Sequence, residues 1–411
     1  MNYELFIAKR IIAAKQDKSS VSSPIIKIAI AAIALGVIIM MISIATGVGL
    51  QKKIKEKISG FDGHVQISNY EENNSKITIN PLSLEQEFYP NFTNIDGIKN
   101  VQSYASKGGI IRTDTDFEGV ILKGVNLDYD WSFFKTYLVE GSILALNDET
   151  SNDVLISKVT ATRLGLKLGD SFNTFFFKND PSKAPNARKF VITGIYNSGF
   201  KEFDEYFVIG DIKQIQRLNK WTPDQVGGFE VLLDDFDELE EKGKEIYTAV
   251  PSTLYASTIS EKYPAIFEWL DLFDTNIIVI IGIMILISGI NMITALLVLI
   301  LERTQMIGIL KALGNSNWSI RKIFLYNAGY LIAVGLFFGN IVGIGILLAQ
   351  KYFGIIQLNP ETYYVSQAPV YLDAQYILLL NVGTLVLCLL MLLVPSYIVS
   401  KISPVKAIKF D

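Results

Sequence analysis

The chain has 411 residues but only one cysteine, Cys388, and one histidine, His64. A lone cysteine cannot form an intrachain disulfide, and Cys388 lies in an apolar run, where packing is its natural use. A lone histidine excludes a histidine-rich metal or catalytic cluster. At the head of a strand-like segment, His64 reads as structural. No G-x-x-x-x-G-K-[ST] loop occurs, so the chain lacks the Walker A route to ATP. A G-x-S-x-G elbow, an H-E-x-x-H pair and paired cysteines are missing too. No metal or cofactor site of its own is therefore expected. Net charge is −4, which gives no electrostatic support for a nucleic-acid partner.

What the chain does have is apolar length. Half its residues are apolar and 19% are charged, which suggests membrane spans plus a soluble domain. Four runs carry no charge: Ile28 to Gln51, Thr275 to Leu301, Ile323 to Gln350 and Tyr376 to Ser400. Each is long enough to cross a bilayer, which takes roughly 20 apolar residues. The expected fold is a membrane protein of four transmembrane helices, with a large α+β periplasmic domain between helices 1 and 2. The expected division is a cytoplasmic amphipathic helix in 1–27, spans at 28–51, 275–301, 323–350 and 376–400, the domain with its stalks at 52–274, a cytoplasmic joint at 302–322, an outer loop at 351–375 and a tail at 401–411. The basic start runs into an apolar segment too long for a signal-peptide core and without a small-residue cleavage site, so the first span is expected to stay attached.

Orientation follows the basic residues. Lys9, Arg10, Lys15, Lys18 and Lys27 precede the first span. Arg303, Lys311, Arg321 and Lys322 fill the joint, and Lys401, Lys406 and Lys409 the tail. The outer loop has only Lys351, Glu361 and Asp373. Both termini and the joint are expected in the cytoplasm. Lys52, Lys53, Lys55 and Lys57 run against this pattern, and Gln51 to Ser59 is read as a helical extension of the first span with solvated lysines. Tyr3 to Ala14 is amphipathic and fits a short helix on the cytoplasmic membrane face.

Short strands are expected at Val65 to Ser68, Gly119 to Val125, Asp153 to Ile156, Phe172 to Phe177, Lys189 to Tyr196, Tyr206 to Ile209 and Phe229 to Leu233. Helices are expected at Lys158 to Leu164, Ile212 to Asn219, Asp235 to Tyr247 and Thr258 to Leu270. Asp211 with Gln214 reads as a loose capping box for the second of these. The loop from Lys178 to Arg188 is long for a hairpin, stiffened by Pro181 and Pro185, and basic through Lys178, Lys183 and Arg188. It is either an ordinary surface loop or a docking tip. In the spans, Gly335, Gly339 and Gly343 make one helical stripe suited to close helix packing. Asn291 sits mid-span and needs a partner in lipid, as do Asn340 and Asn381.

The joint itself is unusual. Leu301 to Gly314 forms a small amphipathic helix closed by a glycine, where a short polar loop would serve to connect two spans. Its residues Glu302-Arg303-Thr304 and Ile307 through Gly314, then Ile320-Arg321 and Phe324, resemble the cytoplasmic joint of FtsX-like ABC transporter permeases. Ile58 to Ile67, Leu164 to Asp170, Tyr363 to Val370, Pro395 and Pro404 to Ala407 narrow the likeness to the lipoprotein-releasing (LolC/LolE) permeases of that FtsX-like/MacB-like family. One departure is Met306, where relatives carry Asp or Glu.

The resemblance implies a non-catalytic permease of the inner membrane, with ATP bound and hydrolysed by a cytoplasmic ABC ATPase dimer. It implies coupling through Glu302, Arg303, Met306, Gly308, Lys311 and Gly314, with Met306 meeting an apolar groove of the partner. It also implies a second permease copy or paralogue, a lipoprotein substrate, and a LolA-like periplasmic carrier hooked by the Lys178 to Arg188 loop. Two alternatives stay open: a MacB-like mechanotransmitting efflux permease, and an FtsX-like activator of cell-wall hydrolases.

Overall fold

The computed structural model describes residues 3–13, 22–72, 75–178 and 184–403. Lys15, Lys18, Pro181, Lys183, Lys406, Lys409 and the 404–407 tail motif lie outside the described residues. In chain order the early helices are α1 (Tyr3–Ala13), α2 (Ser22–Asp62), α3 (Ser132–Tyr137), α4 (Lys158–Arg163), α5 (Lys201–Asp204), α6 (Ile212–Asn219), α7 (Leu239–Ala249) and α8 (Ile259–Lys262). Then come α9 (Pro264–Glu302), α10 (Thr304–Ala312), α11 (Asn317–Phe353), α12 (Pro360–Tyr363), α13 (Ala374–Ser396) and α14 (Ile398–Lys401). The strands are β1 (Val65–Asn69), β2 (Leu82–Ser83), β3 (Ile98–Arg112), β4 (Phe117–Val125), β5 (Leu138–Gly141) and β6 (Asp153–Ser157). They continue with β7 (Ser171–Phe176), β8 (Asn186–Tyr196), β9 (Phe207–Asp211), β10 (Gln225–Val226), β11 (Gly228–Leu233) and β12 (Leu254–Thr258).

The chain divides into two compact units. The first comprises Met1–Gln51, Leu270–Ile356 and Ala368–Asp411. Among the described residues, four helices are long and apolar enough to cross a membrane: those beginning at Pro24, Pro264, Asn317 and Ala374. Lipid offers no hydrophobic drive for helix association, so close approach and polar pairing must supply it. The glycine stripe meets α2 directly. A Cβ added at Gly335 would stand 2.8 Å from Ile33, and one at Gly339 2.9 Å from the Ala34 carbonyl. At Gly343 it would stand 3.2 Å from Met41 Sδ. Asn340 and Asn381 exchange amide bonds between α11 and α13 at 2.6 and 3.0 Å. Each also donates to the carbonyl four residues back, so both amides are satisfied. Asn291 instead donates to Ile287 O of its own helix at 3.0 Å. Cys388 is fully buried in the helical core.

The second unit comprises Lys52–Trp269 and Gln357–Gln367. Its main sheet runs β12-β1-β11-β3-β4-β9-β6-β8-β5, and β7 pairs with both β3 and β8. The path β3-β4-β9-β6-β8-β7 therefore returns to β3 and closes a six-strand ring. Pairs β4–β9 and β6–β8 are parallel; the other pairs are antiparallel. The long β3 serves two surfaces. Its first half pairs with β11 and its second half with β4 and β7.

Several expectations need correction. Two strands, β3 and β12, are not among the expected ones: Ile98–Arg112 mixes Lys, Asn, Gln and Ser into its alternation, and Leu254–Thr258 is short and runs into the helix expected from Thr258. The helix expected from Thr258 to Leu270 is split. Thr258 caps α8 through a capping box with Glu261, and Tyr263 then leaves helical geometry at φ −120°, ψ 52°. Pro264 is the cause, since its ring disfavours the helical conformation in the residue before it. The capping box expected at Asp211 is only half there. The Asp211 carboxylate accepts from Lys213 N–H at 2.9 Å, but the Gln214 amide donates to Ser151 O and Asn152 Oδ1. The basic hairpin is shorter than expected, because Asn186, Ala187 and Arg188 already pair with Phe176, Phe175 and Thr174.

Candidate functional site

The joint is built from a helix break. α9 ends at Glu302, and Arg303 at φ −100°, ψ 20° turns the chain before α10 begins. The Thr304 hydroxyl donates to Leu301 O at 2.7 Å and occupies one carbonyl freed by that break. On the inner side of α10, Ile307, Gly308 and Leu310 are buried. Met306 is half-buried and packs into the same core of its own chain. The opposite side exposes Gln305, Ile309, Ala312 and Leu313, and Leu313 is 77% exposed.

Gly314 ends the helix at φ +89°, a conformation that favours glycine. Asn315 N–H donates to Leu310 O at 3.1 Å and Gly314 N–H to Lys311 O at 3.0 Å, the bond pattern of a Schellman cap. The Lys311 ammonium turns inward and donates to Val399 O at 2.7 Å, Ile402 O at 2.8 Å and Ser400 O at 3.3 Å. These are carbonyls at the C-terminal end of α14, where a cation suits both the unpaired acceptors and the helix dipole. Arg321 in α11 adds bonds to Ser396 Oγ at 3.0 Å and Leu393 O at 2.8 Å. The joint thus has a fixed inner face and an apolar outer face ending near Trp318, which is 51% exposed.

In the second unit, residues distant in sequence converge where α2 ends and α9 begins. Lys123 of β4, 1% exposed, lies 2.7 Å from Glu230 Oε1 and 3.6 Å from Asp62 Oδ1. Asp62 also accepts from Lys262 Nζ at 2.8 Å and from the Tyr263 hydroxyl at 2.5 Å. Gln102 donates to Glu230 Oε2 at 2.9 Å. Burial pushes the Glu230 carboxyl up, against the pull of Lys123. Two cations and two carboxylates balance, and each charge has a partner, as burial demands. Asp62 is the last residue of α2, and Lys262 and Tyr263 immediately precede α9. The cluster therefore ties the two stalk ends to each other and to the sheet. A polar cavity of about 40 Å³ opens beside it, but the two cluster lysines that line it, Lys123 and Lys262, are already paired.

A second tie gathers on Tyr364, which has φ +58°. Lys57 donates to Tyr364 O at 2.8 Å and also to Ser198 O. The Tyr364 ring stacks on Phe200 at 4.7 Å and meets the edge of Trp269 at 5.9 Å. Lys57 is 5% exposed, which corrects the expectation that the stalk lysines are solvated. A signal was present: Ile54, Ile58 and Phe61 mark a buried stripe at helical spacing, and position 57 falls on it. Lys55 lies over the Phe236 ring at 4.9 Å, and Lys53 pairs with Glu56 at 3.3 Å.

His64 is structural. Its Nδ1 accepts from Leu233 N–H at 3.1 Å, which requires the neutral ring. Burial, with Lys99 nearby, lowers it to about 4. At the hairpin, Phe177 and Lys178 are exposed beyond β7, and Pro185 is exposed before β8. Arg188 stands in β8 opposite Thr174. Pro181 and Lys183 lie outside the described residues. No group of His, Cys, Asp and Glu among the described residues has a metal-binding arrangement.

Residues 278–404 match the FtsX-like permease C-terminal family, and residues 28–248 match the MacB-like periplasmic core domain family. The chain is 20% identical to the lipoprotein-releasing system transmembrane protein LolC of Xylella fastidiosa, over 92% of each chain. It is 23% identical to the LolC protein of Neisseria meningitidis over 99% of each. It is 22% identical to the lipoprotein-releasing system transmembrane protein LolE of Haemophilus influenzae, again over 99% of each.

Proposed function

The chain belongs to the MacB-like periplasmic core domain family, with an FtsX-like permease region following that domain, and from that premise we propose that it is the permease subunit of an ABC transporter that extracts lipoproteins from the inner membrane and passes them to a periplasmic carrier. The observation that carries this reading is the end-to-end likeness to proteins named for lipoprotein release. The geometry supports it. The exposed apolar face of α10 is suited to a groove on a cytoplasmic ATPase dimer. ATP-driven closure pushes that helix and, through it, α9 and α11. The stalk ends, joined at Asp62, deliver the displacement to the periplasmic domain.

In this scheme an acylated lipoprotein enters laterally between spans one and two of paired permeases. Drawing acyl chains out of the bilayer costs about 0.8 kcal/mol per CH₂. That cost explains why hydrolysis and a waiting acceptor are both needed. The β7–β8 hairpin, with exposed Phe177 and basic Lys178, Lys183 and Arg188, is the place where the carrier docks. The termini and the joint face the cytoplasm, as the distribution of Lys and Arg favours.

Depletion of the protein followed by membrane fractionation tests the cargo. Lipoproteins are expected to accumulate in the inner membrane. Correct lipoprotein sorting with a gain only in sensitivity to drugs or peptides would replace this reading with a MacB-like efflux role.

A further inference from the structure

The chain passes between its two units at four places: 51–52, 269–270, 356–357 and 367–368. The first two are the stalks. The other two are the legs of the outer loop between α11 and α13, and coupling through the stalks makes no use of them. Those legs are bound to each other. Ala368 N–H donates to Ile356 O at 3.1 Å and Leu358 N–H to Ser366 O at 3.0 Å, with Gln357 facing Gln367 between these bonds. A two-strand ribbon this short is not stable by itself, and this one is held at both ends. At its base, Gln350 of α11, 6% exposed, donates to Ala368 O at 3.0 Å and Ile356 O at 3.2 Å and accepts from Ile356 N–H at 2.8 Å. The return leg then lies against α2. Tyr371 N–H donates to Ala45 O at 3.0 Å, and a Cβ at Gly49 would stand 2.9 Å from Pro369 O. At the tip, Tyr364 takes the left-handed φ of +58°, which a bulky residue keeps only where its surroundings hold it. The Phe200 stack, the Trp269 edge and the Lys57 ammonium on its carbonyl supply that hold. Val365 beside it is buried.

We propose that the outer loop is a second output of the transporter, a ribbon through which displacement of α11 reaches the second unit, with Gln350 and Tyr364 as its positioning residues. The joint is covalently continuous with α11, and α11 runs unbroken for 37 residues from Asn317 to Phe353. Its backbone bonds make it stiff, so a push at its start arrives at Gln350. A single loop strand would absorb that push by changing its φ and ψ. Two legs joined by rungs resist it, because one leg cannot change its dihedrals without breaking a bond to the other. The base of the ribbon is clasped to α11 and its tip is stacked on the second unit. The path therefore runs from Gln350 through the rungs to Tyr364, and from there to Lys57 of the α2 stalk and Phe200 at the start of α5. This inference rests on the coupling role of α10 given above, but not on the identity of the cargo.

The test uses the assembled transporter in proteoliposomes, in a Cys388→Ser background. Spin labels at Tyr352→Cys, just past Gln350, and at Lys244→Cys, exposed on α7, report without any cargo whether the end of α11 and the second unit move together. In the parent, the label separation is expected to stay the same between nucleotide-free and ATP-bound states. Gln350→Leu removes the clasp and keeps a side chain of similar size. It is expected to make the separation nucleotide-dependent. ATP hydrolysis is expected to stay within roughly twofold of the parent, and release of a dye-labelled acylated lipoprotein per ATP to fall by roughly fivefold. Gln357 and Gln367 are a non-hydrogen-bonded antiparallel pair. The Cα atoms of such a pair lie about 4.5 Å apart, inside the span of about 4.4–6.8 Å that a disulfide bridges. Adding Gln357→Cys/Gln367→Cys to Gln350→Leu is therefore expected to recover release when oxidised and to lose it again on reduction. The reductant is added after assembly, so that loss is not a folding defect. Equal label behaviour in the parent and in Gln350→Leu overturns the proposal, as does a formed disulfide that recovers nothing. If Gln350→Leu does not assemble, Tyr364→Gly decides by the same readouts with Tyr364→Phe as its control, since the first removes the stacked ring and the second keeps it. A label difference between parent and variant, in a parent that releases no lipoprotein, overturns the cargo reading and leaves the second output standing.

Discussion

At the scale of single residues, the chain places its polar groups where a bond must be made. Lys123, Glu230 and Asp62 are buried charges that would each be costly alone, and the half-buried Lys262 pairs with Asp62. Removing one partner of such a pair leaves an uncompensated charge and costs about 3–5 kcal/mol. His64 gives the same logic a pH dependence. Its folded value of about 4 lies below the 6.5 of a free histidine. As pH falls, the unfolded chain takes the proton first. The contribution is present above about pH 6.5 and is lost between there and about pH 4, on the order of 3 kcal/mol in all. His64→Asn keeps an acceptor for Leu233 N–H but cannot titrate. Thermal unfolding of the detergent-solubilised protein at about pH 7 and about pH 4.5 is expected to show a larger acid loss in the parent than in the variant. Equal losses would assign the acid sensitivity elsewhere.

At the scale of elements, the glycine stripe of α11 gives a prediction with its own control. A Cβ at Gly339 meets the Ala34 carbonyl at 2.9 Å and Val37 at 3.0 Å, whereas one at Gly383 meets nothing within 4 Å. Gly339→Ala must force α2 and α11 apart, at a cost of about 1–3 kcal/mol. Gly383→Ala is expected to leave thermal stability in detergent unchanged or slightly raised, through the gain in helix propensity. Loss of stability in both variants would show that propensity and lipid exposure matter here, and not the close approach to α2.

Elements also mark how much could be read beforehand. Charge-free runs such as 275–301 locate the spans because the bilayer imposes one simple rule on composition. The joint could be read for the opposite reason, since Gly314 and the charged ends of 302–311 break that rule at one place. Short apolar strands such as β4 and β11 are readable as well. β3 was not, because it pairs on both edges and holds polar residues that find partners inside the unit. The cluster around Lys123 was also out of reach. Positions 62, 123, 230 and 262 share no local pattern, and only the order of strands brings them together. The same holds for Tyr3 and Glu4, whose partners are Asn315 for the first and Ser319 and Lys322 for the second.

At the scale of the whole molecule, the two units divide the work by chemistry. The helical unit carries the joint and the glycine and amide contacts between spans. The sheet unit carries the hairpin and the charged junction at the stalk ends. If the hairpin docks a periplasmic carrier, reversing its charge must weaken that encounter while leaving the joint untouched. Glu at 178, 183 and 188 is expected to reduce carrier capture roughly tenfold or more, with the ATPase subunit still co-purifying. Normal capture by that variant would remove the hairpin from the handover.

The strand order has a mechanical consequence. β1 begins three residues after α2 ends, and its first residue, Val65, pairs with Thr258, the last residue of β12. Both stalks thus load neighbouring strands from the same end. The rungs that join β1 to β11, from Val65↔Val231 to Ser68↔Gly228, lie across the direction of such a pull. A tug along the strands therefore strains those rungs together, as in a glued lap joint, and does not peel them one after another like a zipper.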